Sequence, residues 1–214
     1  MKLFQISFWL KLLFPIACLN CNKLEGTYLC PDCFKLLSFY GEVNKLKLQY
    51  VDKILAVSNY QDLPAPLLIH AFKFKAIEEV GKTLAELLRI FWQSRLIFNN
   101  LDYLIIPIPL SKKRKKQRGF NQTEVIANIF AYQFNYSLSF DLKRKHKKAQ
   151  SKLSANLRLQ NLKKCFYFQG KNLKGKNIIL LDDIITTGAT INEAAKVLKE
   201  AGAENITALA IFKS

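Results

Sequence analysis

The segment with the sequence IILLDDIITTGAT, residues 178–190, constrains the fold of this 214-residue chain more than any other stretch. Its four leading apolar residues are too few for a helix and predict a strand that is buried on both faces, as in a parallel sheet. Asp182 and Asp183 follow at the point where such a strand should leave the sheet. Open α/β sheets bind ligands at this carboxyl edge, so the two carboxylates are candidate ligand-binding groups.

After the carboxylates, the sequence predicts a turn, a helix and a second strand. Thr190 lies three residues before Glu193, which is the spacing of a capping box at a helix N-terminus. Apolar residues then recur at helical spacing up to Ala201, Gly202 is expected to end the helix, and residues 206–212 are apolar enough for a strand. The segment is therefore expected to form a strand–turn–helix–strand unit.

The turn has the chemistry of a phosphate-binding loop. A loop that leads into a helix N-terminus offers unpaired backbone N–H groups and the positive end of the helix dipole to a phosphate. Gly188 lacks the Cβ atom that would block a close approach, and the threonine hydroxyls add donors. Adjacent carboxylates can accept hydrogen bonds from a vicinal diol, so the unit suits a 5-phosphorylated ribose. The alternative is an ordinary strand–turn–helix with solvated aspartates, which does not need the DD pair and the TTGxT turn together.

Residues 178–190 resemble the phosphoribosyl pyrophosphate (PRPP) motif of type I phosphoribosyltransferases. The resemblance implies an α/β domain with the type I phosphoribosyltransferase fold, in which helices flank a central parallel sheet. It also implies that Asp182 and Asp183 hold the ribose hydroxyls. The residues that would wrap the 5-phosphate are Thr186, Thr187, Gly188, Ala189 and Thr190.

Positive charge is concentrated in one part of the chain. The sequence has 33 lysines and arginines against 16 acidic residues, a net charge of +17. The window from Lys112 to Lys176 holds 18 basic and 2 acidic residues, a net charge of +16, and leaves the remainder nearly neutral. Such a concentration indicates a polyanionic partner, which could be nucleic acid, a pyrophosphate-bearing substrate or an acidic membrane surface. The alternative is a lysine-rich surface that only favours solubility.

Four of the five cysteines form two CxxC pairs, Cys18 with Cys21 and Cys30 with Cys33. Two such turns can complete a tetrahedral shell of four thiolates, so the spacing predicts a structural zinc site. Redox-active or disulfide-bonded pairs and an iron–sulfur centre remain alternatives. The fifth cysteine, Cys165, lies in an apolar run and is expected in the core.

The chain is expected to have two parts. Residues 1–45 would form a short apolar helix, around Phe4, Phe8 and Leu12, and the four-cysteine zinc-binding module. Residues 46–214 would form the phosphoribosyltransferase-like domain.

The apolar N-terminal stretch raises the question of a membrane or secretion signal. No segment of the sequence reaches the ~20 apolar residues of a membrane span. Lys11 interrupts the apolar run, and the residues before Cys18 form a poor lipoprotein cleavage site, which disfavours a signal peptide. A cytoplasmic protein without a transmembrane segment is therefore expected.

A second strand–loop–helix unit is predicted upstream of the first. Residues 103–110, with the sequence YLIIPIPL, predict a strand, and Asn121 with Glu124 can cap a helix that extends to about Phe134. The basic loop between them would lie at the same sheet edge as the aspartates. In type I phosphoribosyltransferases the corresponding loop holds the pyrophosphate, and the residues that this resemblance assigns to it are Ser111, Lys112 and Arg118. The alternative is a flexible basic loop with no fixed role.

Hydrophobic periodicity predicts the remaining elements. Strands are expected at residues 51–60 and 138–142, and helices at residues 64–75 and 80–98. Residues 166–168 could be a core strand or a platform on which bases stack. Residues 34–50 are expected to be a connector, and the basic stretch at residues 143–168 a cover over the ligand site.

Taken over nearly its whole length, the chain resembles the ComF family of competence proteins. The features that carry the resemblance are the paired CxxC motifs, the PIPL strand, RGFNQ, Arg144, Gln150, Arg158, Asn161 and DDIITTGAT. The resemblance implies binding of PRPP with Mg²⁺ and a role in DNA uptake during natural transformation. It further implies contact with single-stranded DNA through the basic window, and with a competence helicase or other uptake machinery.

Two functional hypotheses remain open on the sequence. In the first, the protein is an Mg²⁺-dependent enzyme that transfers phosphoribose from PRPP to an unidentified small-molecule acceptor, or hydrolyses PRPP, without a DNA role. In the second, it is a PRPP-responsive module that binds single-stranded DNA and needs no chemistry. No side chain in the sequence identifies a nucleobase or amine acceptor.

Overall fold

The structure of the protein is a computed structural model that describes residues 15–75, 77–96, 102–145 and 165–214. The strands within these residues are β1 (Phe39–Glu42), β2 (Lys53–Asn59), β3 (Tyr103–Pro107), β4 (Ser137–Leu138), β5 (Leu142–Arg144), β6 (Phe166–Phe168), β7 (Asn177–Ile185) and β8 (Asn205–Lys213). The helices are α1 (Pro31–Phe34), α2 (Pro64–Phe74), α3 (Val80–Leu96), α4 (Lys112–Arg118), α5 (Gln122–Phe134) and α6 (Ala189–Glu200).

Six strands form one sheet in the order β1-β2-β8-β7-β3-β4. The five strands from β2 to β4 in this order run parallel, and β1 is antiparallel to β2. β5 and β6 form a separate antiparallel pair. Parallel strands joined by helices are the arrangement that the sequence predicts, so the α/β class is confirmed.

The central strand β7 is buried between two layers. Ile179 and Leu181 belong to the core formed with α2, α3 and α5, whereas Ile178 and Leu180 belong to the core formed with α6 and the β5–β6 pair. This alternation follows from the two-residue period of a strand. The carboxyl end of β7 therefore emerges between two packed layers, and successive side chains there face different elements.

β7 is longer than the sequence predicts. The strand continues through Asp182 and Asp183 to Ile185, because β8 stays paired with it along this length. Pairing with β3 on the other side ends where Pro107 lies opposite Leu181. The prediction that the strand ends before the aspartates is thus wrong. Both carboxylates nevertheless lie beyond the end of β3, at the carboxyl edge of the sheet.

Three other predictions are corrected by the structure. The basic loop after β3 is the helix α4, which begins after Ser111. The strand expected at residues 138–142 is divided between β4 in the main sheet and β5 in the small one. The connector expected at residues 34–50 contains β1, which pairs with β2 and so belongs to the main sheet. These short elements carry too few apolar residues for periodicity to reveal them.

Other predictions agree with the structure or fall outside it. The helices expected near residues 64–75 and 80–98 are α2 and α3, and Cys165 is buried. The N-terminal helix around Phe4, Phe8 and Leu12, and the residues Gln150, Arg158 and Asn161, lie outside the described residues. Among the described helices, none combines the length and apolar character that a membrane crossing requires.

Candidate functional site at the carboxyl edge of the sheet

Asp182 and Asp183 form the centre of the site. The Asp183 backbone N–H donates to Asp182 Oδ1 at 2.8 Å, which fixes the first carboxylate against the strand. Asp183 Oδ1 accepts a hydrogen bond from Lys73 Nζ at 2.7 Å, and both of these side chains are largely buried, with 12% and 14% of their surface exposed. The two adjacent carboxylates therefore have different partners, as expected for neighbours in a strand.

Asp182 has a raised pKa. Burial and the negative charge of Asp183 raise the pKa of Asp182 to about 7, against the opposing effect of the positive charges of Lys73 and Arg144. Arg144, in β5, is thus close enough to influence the carboxylate from the side opposite α2. A carboxyl group that titrates near neutral pH at a sheet edge is a typical feature of a functional site.

Lys73 is a site residue that the sequence analysis does not single out. It lies in the last turn of α2, directly after Phe72, which is fully buried. A signal is present in the sequence, because Lys73 also follows the buried residue Ile69 by four positions and so shares its side of the helix. A lysine on the buried side of an amphipathic helix needs a partner, and the partner here is Asp183.

Arg118 approaches the same carboxylate from α4. Its Nη1 donates to Gln122 Oε1 at 3.0 Å, and its guanidinium lies 5.7 Å from the centre of the Phe74 ring. Burial lowers the pKa of Arg118, and the negative charge of Asp183 acts in the opposite direction. Among the three residues predicted to bind pyrophosphate, Arg118 is therefore the one whose charge interaction with Asp183 is evident in the structure.

The other two predicted pyrophosphate residues stand at the start of α4. Ser111 Oγ accepts a hydrogen bond from the Arg114 backbone N–H at 3.4 Å and so caps the helix. Lys112 is exposed, as most of α4 is, and no contact between either residue and the carboxylates is found among the described residues. In the described part of α4, the one ion pair joins Lys115 to Glu124 at 3.0 Å.

Buried polar side chains at the start of α5 hold the site together. Asn121 Nδ2 and the Thr123 hydroxyl both donate to the Ile108 carbonyl, at 3.3 and 2.6 Å, and Gln122 Nε2 donates to the Phe72 carbonyl at 3.2 Å. Asn121 occupies the N-cap position as predicted, but its side chain makes no capping bond. The reason is that Asn121 Oδ1, the atom that would cap the helix, lies 2.9 Å from the Thr123 hydroxyl and accepts from it instead. These bonds join α5 to both the β3 loop and α2.

The threonine turn after β7 has the exposure of a ligand-binding loop. Thr186 and Thr187 are exposed, and Thr187 Oγ1 accepts from the Ala189 backbone N–H at 3.5 Å. The helix α6 begins at Ala189 with Gly188 as its N-cap, so Thr190 lies inside the first turn. The predicted capping box of Thr190 is therefore wrong, because the helix starts earlier than the sequence pattern indicates.

Gly188 makes a close contact that the sequence does not predict. Its φ of 72° lies in the left-handed region, and a Cβ atom there would come within 2.8 Å of Leu48 Cδ1. The space freed by the missing side chain is thus filled by Leu48 from the segment before β2. The Tyr50 backbone N–H also donates to Asn192 Oδ1 of α6 at 3.2 Å. This segment therefore supports one side of the turn.

The four CxxC cysteines come together near the N-terminus of the described chain. Their sulfur atoms all lie within 4.8 Å of one another, and those of Cys21 and Cys30 are 3.6 Å apart. A Zn–S bond of about 2.3 Å in a tetrahedron implies sulfur atoms about 3.8 Å apart, so the cluster could hold a metal ion such as zinc. Burial acts to raise the pKa of Cys18, but backbone N–H groups, with that of Cys30 contributing most among them, lower it to about 6.

Comparison with known proteins supports this architecture. The family model described as the phosphoribosyl transferase domain matches residues 122–214. The chain is 34% identical over 199 residues to Competence protein F of Haemophilus influenzae, an alignment that covers 88% of this chain and 86% of that protein. It is 32% identical to DNA utilization protein YhgH of Salmonella typhimurium, over 72% of this chain and 69% of that protein. It is 29% identical to Competence protein ComFC of Bacillus subtilis, over 92% and 84%.

The matched domain contains the elements that build the site. Residues 122–214 include α5, β7, the threonine turn, α6 and β8. Together with the mostly parallel sheet, this match confirms the type I phosphoribosyltransferase fold that residues 178–190 indicate.

Proposed function

The chain belongs to the ComF family of competence proteins, and on that premise we propose that it binds PRPP at the carboxyl edge of the sheet. The observation that carries this proposal is the position of Asp182 and Asp183 directly before an exposed threonine turn at a helix N-terminus. Two neighbouring carboxylates can accept from the hydroxyls of a ribose diol, and a turn at a helix N-terminus can bind the 5-phosphate.

In this proposal each group of the ligand has its own partner. The ribose hydroxyls donate to Asp182 and Asp183, and the 5-phosphate accepts from the backbone and hydroxyl groups of Thr186, Thr187, Gly188, Ala189 and Thr190. The pyrophosphate interacts with Arg118, whose guanidinium is already partly buried beside the carboxylates. When bound with PRPP, Mg²⁺ would reduce the negative charge that Arg118 has to balance.

Catalysis would rest on positioning and charge. Breaking the bond between ribose and pyrophosphate leaves negative charge on the departing group, and a cation such as Arg118 stabilises that charge without any covalent step. An enzyme that transfers the phosphoribosyl group to an acceptor, or to water, is therefore the alternative to a protein that only binds PRPP. Release of pyrophosphate distinguishes the two.

Calorimetric titration of PRPP with Mg²⁺ tests the proposal. Wild-type protein is expected to bind, and the Asp182→Ala/Asp183→Ala variant is expected to lose at least about tenfold in affinity, since charge-assisted hydrogen bonds are worth ~1.5 kcal/mol or more each. Glu193→Ala, in the first turns of α6 but outside the proposed contacts, is the matched control. Equal binding by both variants would rule the proposal out. Pyrophosphate assayed in the same samples separates an enzyme from a binding protein.

A second function, binding of single-stranded DNA, is favoured by α4. Six of its seven residues are basic, none is buried, and the neighbouring Phe74 ring is 70% exposed. Exposed cations beside an exposed aromatic ring suit the phosphates and bases of a single strand. The competence and DNA-utilization names of the relatives agree with such a role, in which a competence helicase or other uptake component would be the protein partner.

The salt dependence of DNA binding tests this second function. Neutralising Lys112, Lys113, Arg114 and Lys116 to glutamine should flatten the plot of log affinity against log salt by about 3, since each phosphate contact to a single strand contributes roughly 0.7. Replacing four lysines outside the basic window, Lys45, Lys47, Lys53 and Lys82, provides a control of equal charge change. An equal change of slope in both variants would mean that only net charge matters.

We further propose that Cys18, Cys21, Cys30 and Cys33 hold zinc as a structural ion. All four ligand positions are sulfur, which leaves no open site for a substrate. The module shares a core with α3, because Cys18, Cys30 and Phe91 belong to the same buried cluster. Zinc analysis of the purified protein should give about one ion per chain, and removal by a chelator should lower the melting temperature. A protein that contains iron or a disulfide instead would refute the assignment.

A further inference from the structure

We propose that Lys73 is a positioning residue of the ligand site, which holds the Asp183 carboxylate in place and balances its charge so that the carboxylate can accept a hydrogen bond from a ligand hydroxyl. The inference deepens the proposed function and rests on it, because it concerns how the carboxyl edge recognises a sugar diol. It assigns a specific role to a residue far from the PRPP motif in sequence, 110 positions before Asp183.

Lys73 and Asp183 form a short, largely buried ion pair. Lys73 Nζ lies 2.7 Å from Asp183 Oδ1, and both side chains are more than four-fifths buried. A carboxylate can accept several hydrogen bonds on its two oxygens, so one bond at Oδ1 leaves Oδ2 able to accept another. Among the described residues, Lys73 is the one side chain that donates to this carboxylate. The ion pair thus orients the group without saturating it.

The end of α2, which carries Lys73, is held firmly by its neighbours. Phe72, the residue before Lys73, has no exposed surface, and its ring packs against that of Phe120 with centroids 5.5 Å apart. Its carbonyl accepts from Gln122 Nε2, and Gly81 approaches its ring so closely that a Cβ atom would lie 3.2 Å away. The backbone at Lys73 is therefore fixed from both α3 and α5, and the lysine is not free to move with a loose helix end.

Burying the ion pair of Lys73 and Asp183 costs free energy, because both charges lose hydration. Buried ion pairs therefore contribute little stability compared with apolar residues of similar size. This pair lies at the carboxyl edge, where ligands bind in open α/β sheets, and not deep within the layers. A cation that serves only for folding would be replaceable by an apolar contact, whereas one that orients a ligand-binding carboxylate would not.

Lys73 differs from the other cations near the site because it donates a hydrogen bond to Asp183. Arg118 interacts with Asp183 through charge, but its hydrogen bond goes to Gln122, and Arg144 influences Asp182 from β5. The nearby Lys75 is exposed, and no ion pair or hydrogen bond of its side chain is found among the described residues. Lys75 therefore differs from Lys73 in contact but not in charge, and it provides a control at the end of the same helix.

The experiment compares two probes that differ by one hydroxyl, ribose 5-phosphate and 2-deoxyribose 5-phosphate. Wild-type protein is expected to prefer ribose 5-phosphate roughly tenfold, which corresponds to one charge-assisted hydrogen bond. Lys73→Met should bring this preference to less than about twofold, while Lys73→Arg and Lys75→Met should keep it. The ratio of the two affinities cancels any general loss of the phosphate site, so a merely structural role of Lys73 would not change it.

The possible outcomes are distinct. A folded Lys73→Met variant that keeps the wild-type preference overturns the inference, even though PRPP still binds. Wild-type protein that binds neither sugar phosphate nor PRPP with Mg²⁺ overturns the proposed function, and the inference with it. If Lys73→Met does not fold in a thermal melt, Lys73→Gln takes its place, because its amide can still donate to Asp183 but carries no charge. Its preference should be at most half that of wild type, and an unchanged preference overturns the inference.

Discussion

Two regions of the molecule carry positive charge in opposite ways. At the carboxyl edge, Lys73 is largely buried and bonded to Asp183 at 2.7 Å. On α4, six basic residues are crowded into seven positions, and one of them, Lys115, has an ion pair in the described structure. A buried cation with one partner orients a particular atom, whereas exposed cations attract any polyanion and are screened by salt. Arg118 belongs to α4 but interacts with Asp183. For the other cations, the difference indicates that ligand recognition and polyanion attraction are carried by separate residues.

The largest expected effect comes from breaking the buried pair. Asp183→Ala should lower the free energy of unfolding by about 3 kcal/mol, because it leaves Lys73 buried without a partner. Urea denaturation at pH 7 measures the change. Restoration of most of the stability by the double variant Lys73→Met/Asp183→Ala would confirm that the unpaired charge is the cause. A loss below ~0.5 kcal/mol would show that this pair behaves like one on the surface.

The second prediction concerns a substitution that disturbs the ligand site without changing any charge. Gly188→Ala should lower the free energy of unfolding by about 2 kcal/mol, since the residue has a left-handed φ and its new Cβ atom would contact Leu48. The double variant with Leu48→Ala should recover part of the loss, because it relieves the contact but not the backbone strain. Full recovery would mean that φ matters little at this position. Thermal and urea unfolding of the three variants distinguish these results.

The third prediction concerns the pH dependence of stability. The native pKa of Asp182 is about 7, above the usual value of 3.8, so the folded state binds this proton more tightly than the unfolded state does. The contribution of Asp182 to unfolding free energy therefore falls as pH rises from 4 to 7 and levels off above 7. Asp182→Asn should remove this fall and be more stable than wild type at pH 8, with little difference at pH 4. Equal stability at both pH values would contradict the raised pKa.

The smallest effect is expected for the exposed ion pair between Lys115 and Glu124. Glu124→Gln removes the partner of Lys115, but the two side chains are 30% and 52% exposed. The change in unfolding free energy should stay within about 0.5 kcal/mol, as for other surface pairs. Measured beside Asp183→Ala, it shows how far burial alone separates the two kinds of ion pair. A loss as large as that of Asp183→Ala would remove the distinction.

The sequence predicts those parts of the site that lie within one short segment, but not the contacts between segments that are distant in the chain. Asp182, Asp183 and the threonine turn are found from local pattern, because a buried strand and a following helix leave a strong signal over 13 residues. Lys73 is missed because its partner is 110 residues away and no local pattern records that contact. The contact between Gly188 and Leu48 is missed for the same reason, since Leu48 comes from a distant segment.

Secondary-structure errors have a related origin. The sequence predicts a loop where α4 forms, since its cations carry no apolar periodicity, yet Ser111 caps the helix and Glu124 neutralises one lysine. β1 and β4 are short edge strands whose place depends on pairing with β2 and β3. The longer parallel strands are located correctly, apart from the end of β7, because burial on both faces imposes a continuous apolar run.

A crystal structure of the protein with PRPP and Mg²⁺ is the most direct test of the central claim, that the ligand is held by positioned groups at the carboxyl edge and not by the exposed lysines of α4. The account predicts ribose hydroxyls within hydrogen-bond distance of Asp182 and Asp183, a 5-phosphate on residues 186–190, and Lys73 still bonded to Asp183. A pyrophosphate or phosphate bound by the exposed lysines of α4, with both carboxylates free of ligand, would contradict it.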